Sequence, residues 1–297
     1  MDLKAVGGFN NVPARADAGA LKNKKAVEKT AEPNDKITIS DESFLKKAFI
    51  NTTKIVAGTA LAVVFAPAKA IAEGAKAASA SAVNALAMEA GSDDPNTISP
   101  RVRAMIQSSS VVGAAAGLAL AGPVGMALGI VAAPGIAVGA EKAFIGGVRG
   151  AAKGWKAAMN TADSVSSYTE KIFGKTSAKI AHATTTVLLG ATLPAVMAVG
   201  GAILNNSLFA LRALGAKDYP TGIKEKLDNA LAIGITFMST AAGVVSGYGV
   251  GAAVMPGAVA TSVKGGAAAA EGFADGIVRS FKAANAAVDH LIDGKKA

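Results

Sequence analysis

The sequence contains no cysteine, so neither a disulfide framework nor a cysteine-based zinc site is open to it. That absence leaves the redox compartment undetermined. Histidine occurs only twice. His182 opens an apolar run and His290 adjoins Asp289 near the end of the chain, positions that suit a helix cap or an exposed side chain better than a ligand. Charge is scarce as well: Asp, Glu, Lys and Arg make up 17% of the residues, against about 25% in an ordinary soluble domain. A soluble surface needs charge, so this deficit says more than the 51% of apolar residues or the mean hydropathy of +0.40. Aromatics reach only 5%, with Trp155 the single tryptophan. Small residues bury little area each and build a poor conventional core, but they let helix backbones approach closely.

An apolar segment near the start is also missing. Residues 1–47 are polar and mixed in charge, which argues against a secretory signal, and their acidic residues do not suit a transit peptide. Gly7-Gly8, Pro13 and Pro33, without apolar periodicity, predict a disordered arm over 1–40. A helix is expected from about Glu42, capped by Ser40 or Asp41.

Catalytic sets are lacking. Gly174-Lys175-Thr176 has no upstream glycine to complete a phosphate loop. Ser43 and Lys46 fit Ser-x-x-Lys without companion motifs. Acidic residues avoid the apolar runs, which argues against a proton-coupled transporter. Basic residues are scattered, with no aromatic platform between them, which argues against nucleic acid. The expectation is a non-enzyme with no cofactor, no metal and no small-molecule substrate.

What the chain does have is four long apolar stretches: Ile55–Ala72, Ala104–Ala140, Ile180–Leu211 and Asn229–Val263. The second runs for 37 residues without a charge. A membrane span needs roughly 20 predominantly apolar residues, so the last three exceed that length and the first approaches it. No β pattern is convincing, and strands would leave open edges in lipid.

The net charge of +9 suits positive-inside loops or an anionic surface. If each stretch crosses once, the arm, residues 141–179 and the tail after 263 carry 9, 7 and 5 Lys/Arg on one side. The loops 73–103 and 212–228 carry 3 and 4 on the other. That asymmetry predicts both termini in the cytoplasm. A hairpin reading competes: Gly122-Pro123 would split the second stretch, Pro194 the third and Pro256 the fourth.

Each stretch contains a proline, Pro67, Pro134, Pro194 and Pro256, with Pro123 additional in the second; each is a candidate kink or hairpin position. A cationic amphipathic segment follows in two cases. Phe144, Val148 and Trp155 form an apolar stripe with Arg149, Lys153 and Lys156 largely off it. Phe273, Ile277 and Phe281 repeat this with Arg279 and Lys282. Such helices suit a membrane interface or packing on other protein.

Gly125, Gly129, Pro134 and Gly135 align with Gly247, Gly251, Pro256 and Gly257. This predicts a tandem duplication, with helical halves over 41–175 and 176–297. Glycines also recur at four-residue spacing: Gly113 and Gly117, Gly125 and Gly129, Gly146 with Gly150 and Gly154, and Gly243 with Gly247 and Gly251. Residues four apart share a helix face, and an interior glycine costs a helix about 1 kcal/mol relative to alanine, so a compensating close contact is expected. The pattern resembles the glycine-zipper segments of membrane and pore-forming proteins.

The predicted fold class is therefore all-α: a multi-helix, membrane-inserting bundle with glycine-zipper packing, whose partners are a lipid membrane and further copies of the chain. Three functions are open: a resident membrane protein with a structural or channel-like role, an exported pore-forming or translocator-type protein secreted without a classical signal, and a soluble Ala/Gly-rich helical assembly.

Overall fold

The computed structural model describes residues 41–293; the arm expected over 1–40 lies outside the described residues. The helix packing lies in the unit that begins at Phe49. Every described element is helical: α1 (Asp41–Glu89), a 3-10 turn (Pro95–Thr97), α2 (Pro100–Phe173), α3 (Lys175–Ala213) and α4 (Ile223–Asp293). Three stretches are long and apolar enough to cross a membrane, Lys46–Glu89, Pro100–Ala213 and Ile223–Gly247. The second of these contains both the second and the third apolar runs of the sequence.

Helix ends follow local chemistry. α1 and α3 finish on the same device, a glycine at positive φ, Gly91 (79°) and Gly215 (90°). In each, the next residue's amide reaches back to the helix: Ser92 N donates to Ala87 O and Ala216 N to Leu211 O. This satisfies terminal carbonyls that have no intrahelical partner. α2 opens with Pro100 at its first position and Ser99 Oγ accepting from Val102 N, a residue pair suited to a helix start. The connection ahead of it is tied by Arg103, which donates to Pro95 O at 2.7 Å and Asn96 Oδ1 at 3.2 Å. Between α3 and α4, Asn229 brackets Lys217, accepting from its amide at 2.9 Å and donating to its carbonyl at 2.7 Å. The Glu225 carboxylate, 2.7 Å from Lys217 Nζ, holds that ammonium above its usual pKa.

α2 is not one straight rod. Ala121 and Gly122 leave helical geometry, Gly122 at φ 63° and ψ −150°. Gly113 then lies against Gly129, and Gly117 against Gly125. Sixteen residues of straight helix would separate the first pair by about 24 Å, so the chain doubles back. Pro123 starts the returning leg, where its missing amide costs nothing. The single-crossing reading of 104–140 is corrected accordingly. Glu89 and Lys142, which flank this stretch, pair at 2.5 Å, so its two ends lie side by side.

α4 reverses too. Gly243 and Gly251 touch, whereas eight residues of straight helix would hold them about 12 Å apart. The reversal falls between them, not at Pro256. Pro67, Pro134, Pro194 and Pro256 all sit inside helices, so hairpins at Pro194 and Pro256 are not formed. Pro134 and Pro256 are fully buried, where neighbouring helices can take up the backbone groups a proline frees.

Two long antiparallel pairs extend from this arrangement. Residues 142–166 of α2 run against α3, with Gly146 on Gly201, Gly150 on Met197 and Gly154 on Leu193 and Pro194. Residues 265–289 of α4 run against α1, with Gly265 on Gly74, Gly276 on Ala66 and Phe281 on Gly58. Where these pairs meet, Ala82, Val83, Ile106, Val138, Phe209 and Ala260 form the main core cluster.

Candidate membrane-facing surface and interhelical contacts

The distribution of side-chain size is inverted relative to a water-soluble bundle. Most buried apolar residues are alanines, with buried Ser79, Ser81, Ser110, Thr236, Ser239, Thr261 and Ser280 among them. Large aliphatic and aromatic side chains point outward: Leu120 and Val245 are 87% exposed, and Val63, Val187 and Phe237 are 70% exposed. Water would drive such side chains inward at about 25 cal/mol per Å² of apolar area. Lipid supplies no such drive, and helices there associate through small residues and close backbone approach. Exposed apolar area on this scale marks a surface that meets lipid or protein.

The glycines are placed unequally. A methyl group at Gly113, Gly117, Gly125, Gly129, Gly146, Gly150, Gly154, Gly243 or Gly251 would overlap backbone of the facing leg or helix. Gly247 has nothing within reach; it lies at the reversal, and the expected packing role falls on its two neighbours four residues away. Gly135 and Gly257 make the central approach between α2 and α4, each occupying the space a side chain on the other would need.

The amphipathic segments carry, beside the expected apolar stripe and cationic face, a third face of small residues, and it is this one that is buried. On α2 the buried stripe is Ala143, Gly146, Gly150, Gly154, Ala158 and Ala162. Phe144, Val148 and Trp155 are exposed, and so are Arg149, Lys153 and Lys156. On α4, Gly272, Gly276, Ser280, Ala284 and Val288 are buried, while Phe273, Arg279 and Lys282 are exposed. Phe281 is half-buried on Gly58, and Trp155 leans over Gly190 in the same manner. A hydrophobicity count misses the small-residue stripe because glycine and alanine carry little weight in it.

Asn206 is the residue whose place the sequence did not fix. It is completely buried. Its Nδ2 donates to Ala253 O, and its Oδ1 has no partner and rests against Gly139 and Gly257. It therefore ties α3 to α4 at the level where α2 crosses both. Asn205 does the same toward α2, donating to Lys142 O at 2.6 Å. The signal available in the sequence was a lone amide pair inside a 32-residue uncharged run. In lipid, an amide without water must find a protein partner.

Ion pairs link distant segments. Lys54 meets Asp289 at 2.5 Å, and Lys69 meets Asp275, which also accepts from Arg279 Nε at 3.0 Å. His182 Nε2 lies 3.1 Å from Asp163 Oδ1 across the α2–α3 pair. Among the described residues no three His, Asp or Glu side chains converge as metal ligands would. A groove of about 530 Å³ runs along the α2–α3 seam with Arg149 and Lys153 at one end and Leu204 and Leu208 at the other.

Comparison of the chain with known protein families, with curated proteins and with solved structures finds no match.

Proposed function

We propose that this chain is an integral helical membrane protein without catalytic activity, serving a structural or channel-like role through close helix packing. The single observation that carries the reading is the inverted size distribution, with Gly, Ala, Ser and Thr inside and Val, Leu and Phe outside on segments free of charge. The legs of the first hairpin add to it. Residues 100–120 span about 31 Å as helix, close to the roughly 30 Å of bilayer hydrocarbon.

The chain is organised as a tandem duplication whose halves meet in opposite directions. Supporting this, Pro134, Gly135, Gly150 and Gly154 stand 122 residues before Pro256, Gly257, Gly272 and Gly276. Gly135 and Gly257 contact each other reciprocally, as equivalent groups do about a two-fold axis. The first helix of each half pairs with the last segment of the other: α3 with residues 142–166, and α1 with residues 265–289. Inverted repeats of this kind recur in membrane transport folds. The spaced glycines act as the zipper at each of these seams, and the start of α1 and the end of α4 lie on the same side of the bilayer. Lys54 on Asp289 keeps the two ends on one side.

The test is an alkaline carbonate wash of native membranes. Retention in the pellet is the expected result; release into the wash would refute residence in the bilayer.

A second reading, export followed by insertion into a target membrane, draws support from the two hairpins. Both reversals lie in uncharged sequence, so either tip could enter a bilayer without carrying a charge across it. Recovery from the medium together with dye release from liposomes would favour this reading.

A further inference from the structure

We propose that the groove between α2 and α3 holds one anionic phospholipid, with its phosphate on Arg149 and Lys153 and an acyl chain lying toward Leu204 and Leu208. This inference rests on the membrane reading above and assigns a specific lipid site within it.

Three observations converge. The first is shape. The groove, about 530 Å³, has a floor of glycines, including Gly200, and aliphatic walls. On α3 it runs from Val196 to Leu208, about 18 Å of helix, slightly more than the roughly 15 Å of one leaflet's hydrocarbon.

The second is polarity along its length. Gly150 lies on Met197 and Gly146 on Gly201, while Asn205 bonds to the carbonyl of Lys142. In that antiparallel register Arg149 and Lys153 stand level with the Val196 end. Leu204 and Leu208 stand at the opposite end, two to three turns away. The groove is therefore cationic at one end and apolar at the other, matching a headgroup and its chain.

The third is charge. Arg149 and Lys153 are one helical turn apart and exposed. Neither has an acidic partner among the described residues. The nearby Lys142 is already paired with Glu89. Two free cations at the mouth of an apolar groove attract a phosphodiester, and a guanidinium can grip it through two parallel hydrogen bonds. A cation near a membrane surface contributes enough that two correspond to roughly a thirtyfold preference for an anionic over a zwitterionic lipid.

The chain offers clean variants. Gly200 lines the groove, yet a side chain there would meet nothing within 4 Å, so Gly200→Leu fills the groove without disturbing a helix contact. Arg149→Gln with Lys153→Gln removes the charge at exposed positions and leaves the groove open. Trp155 reports independently on the bilayer. Arg149 and Lys153 each precede a contact glycine by one residue and Trp155 follows one, which places it on the opposite flank of the helix.

The experiment reconstitutes the full chain in bilayers of equal phosphatidylglycerol and phosphatidylcholine, then counts retained lipid by native mass spectrometry. One phosphatidylglycerol per chain is expected, lost in Gly200→Leu and exchanged without headgroup preference in the Arg149→Gln, Lys153→Gln variant. Retention unchanged in either variant, or no retained phosphatidylglycerol, overturns the site. Quenching of Trp155 by brominated phosphatidylcholine is read in parallel. Quenching without lipid retention sinks the lipid site alone, whereas no quenching and no retention sink the membrane reading with it.

Discussion

Gly135 and Gly257 face each other across the middle of the protein, each carbonyl oxygen filling the space where the other residue's side chain would stand. Each follows a fully buried proline, Pro134 and Pro256, and Asn206 closes the same junction through its contact with Gly257 and its bond to Ala253. Three helices therefore depend on the absence of two side chains. This junction concentrates the consequences of substitution.

Gly135→Leu should destabilise the fold by about 3 kcal/mol, the upper range for forcing volume into a packed site, because the obstructing atoms are backbone and cannot rotate away. Gly247→Leu should leave stability nearly unchanged, since nothing lies near Gly247 at the reversal. Unfolding in denaturing detergent measures both. Equal losses at the two positions would contradict the assigned contacts.

Asn206→Ala should cost about 1 to 2 kcal/mol in the same assay, the size of an interhelical side-chain bond in lipid together with a small cavity. The loss is limited because substitution also removes the unpartnered Oδ1, whose burial is itself unfavourable. Wild-type stability in this variant would mean that the bond to Ala253 is not made.

The hairpin at Ala121-Gly122 yields a distance prediction. The chain has no native cysteine, so Glu89→Cys with Lys142→Cys gives a uniquely labelled pair. A short bismaleimide should join the two within one chain, because these residues meet at 2.5 Å in the native protein. Failure to cross-link would restore a single crossing.

The Lys69–Asp275 pair holds α1 on α4, with Arg279 as a second partner of the same carboxylate. Lys69→Ala should therefore cost less than Asp275→Ala, which strips both cations of their partner. A double-mutant cycle should give a coupling of about 0.5 to 1 kcal/mol, the range of partly exposed pairs. A coupling of zero would assign the α1–α4 seam to Gly272, Gly276 and Phe281 alone.

Much of this architecture is legible in the sequence. Helix follows from long apolar runs rich in alanine, and the stops at Gly91, Gly174 and Gly215 follow from glycine's access to positive φ. The spacing of Gly146, Gly150 and Gly154 marks a face that a second helix can approach, because residues four apart superpose on a helix. Scarce charge and abundant small residues make a lipid-facing surface the economical reading of composition.

Tertiary structure decided what spacing cannot. The same Gly243-x3-Gly247-x3-Gly251 pattern would serve one straight helix or two legs of a hairpin, and only the contact of Gly243 with Gly251 distinguishes them. Hydrophobicity groups Phe144, Val148 and Trp155 in one apolar stripe, and the glycine and alanine face beside it is the one covered, because in this bundle close backbone approach outranks side-chain size. Asn206 could have ended a helix; it became a fully buried tie because α4 brings the Ala253 carbonyl to it. The sequence by itself determined which segments are helical, where they stop and which faces are narrow. Which narrow face meets which is a matter of long-range pairing, and one helix presents several acceptable partners until the others are in place.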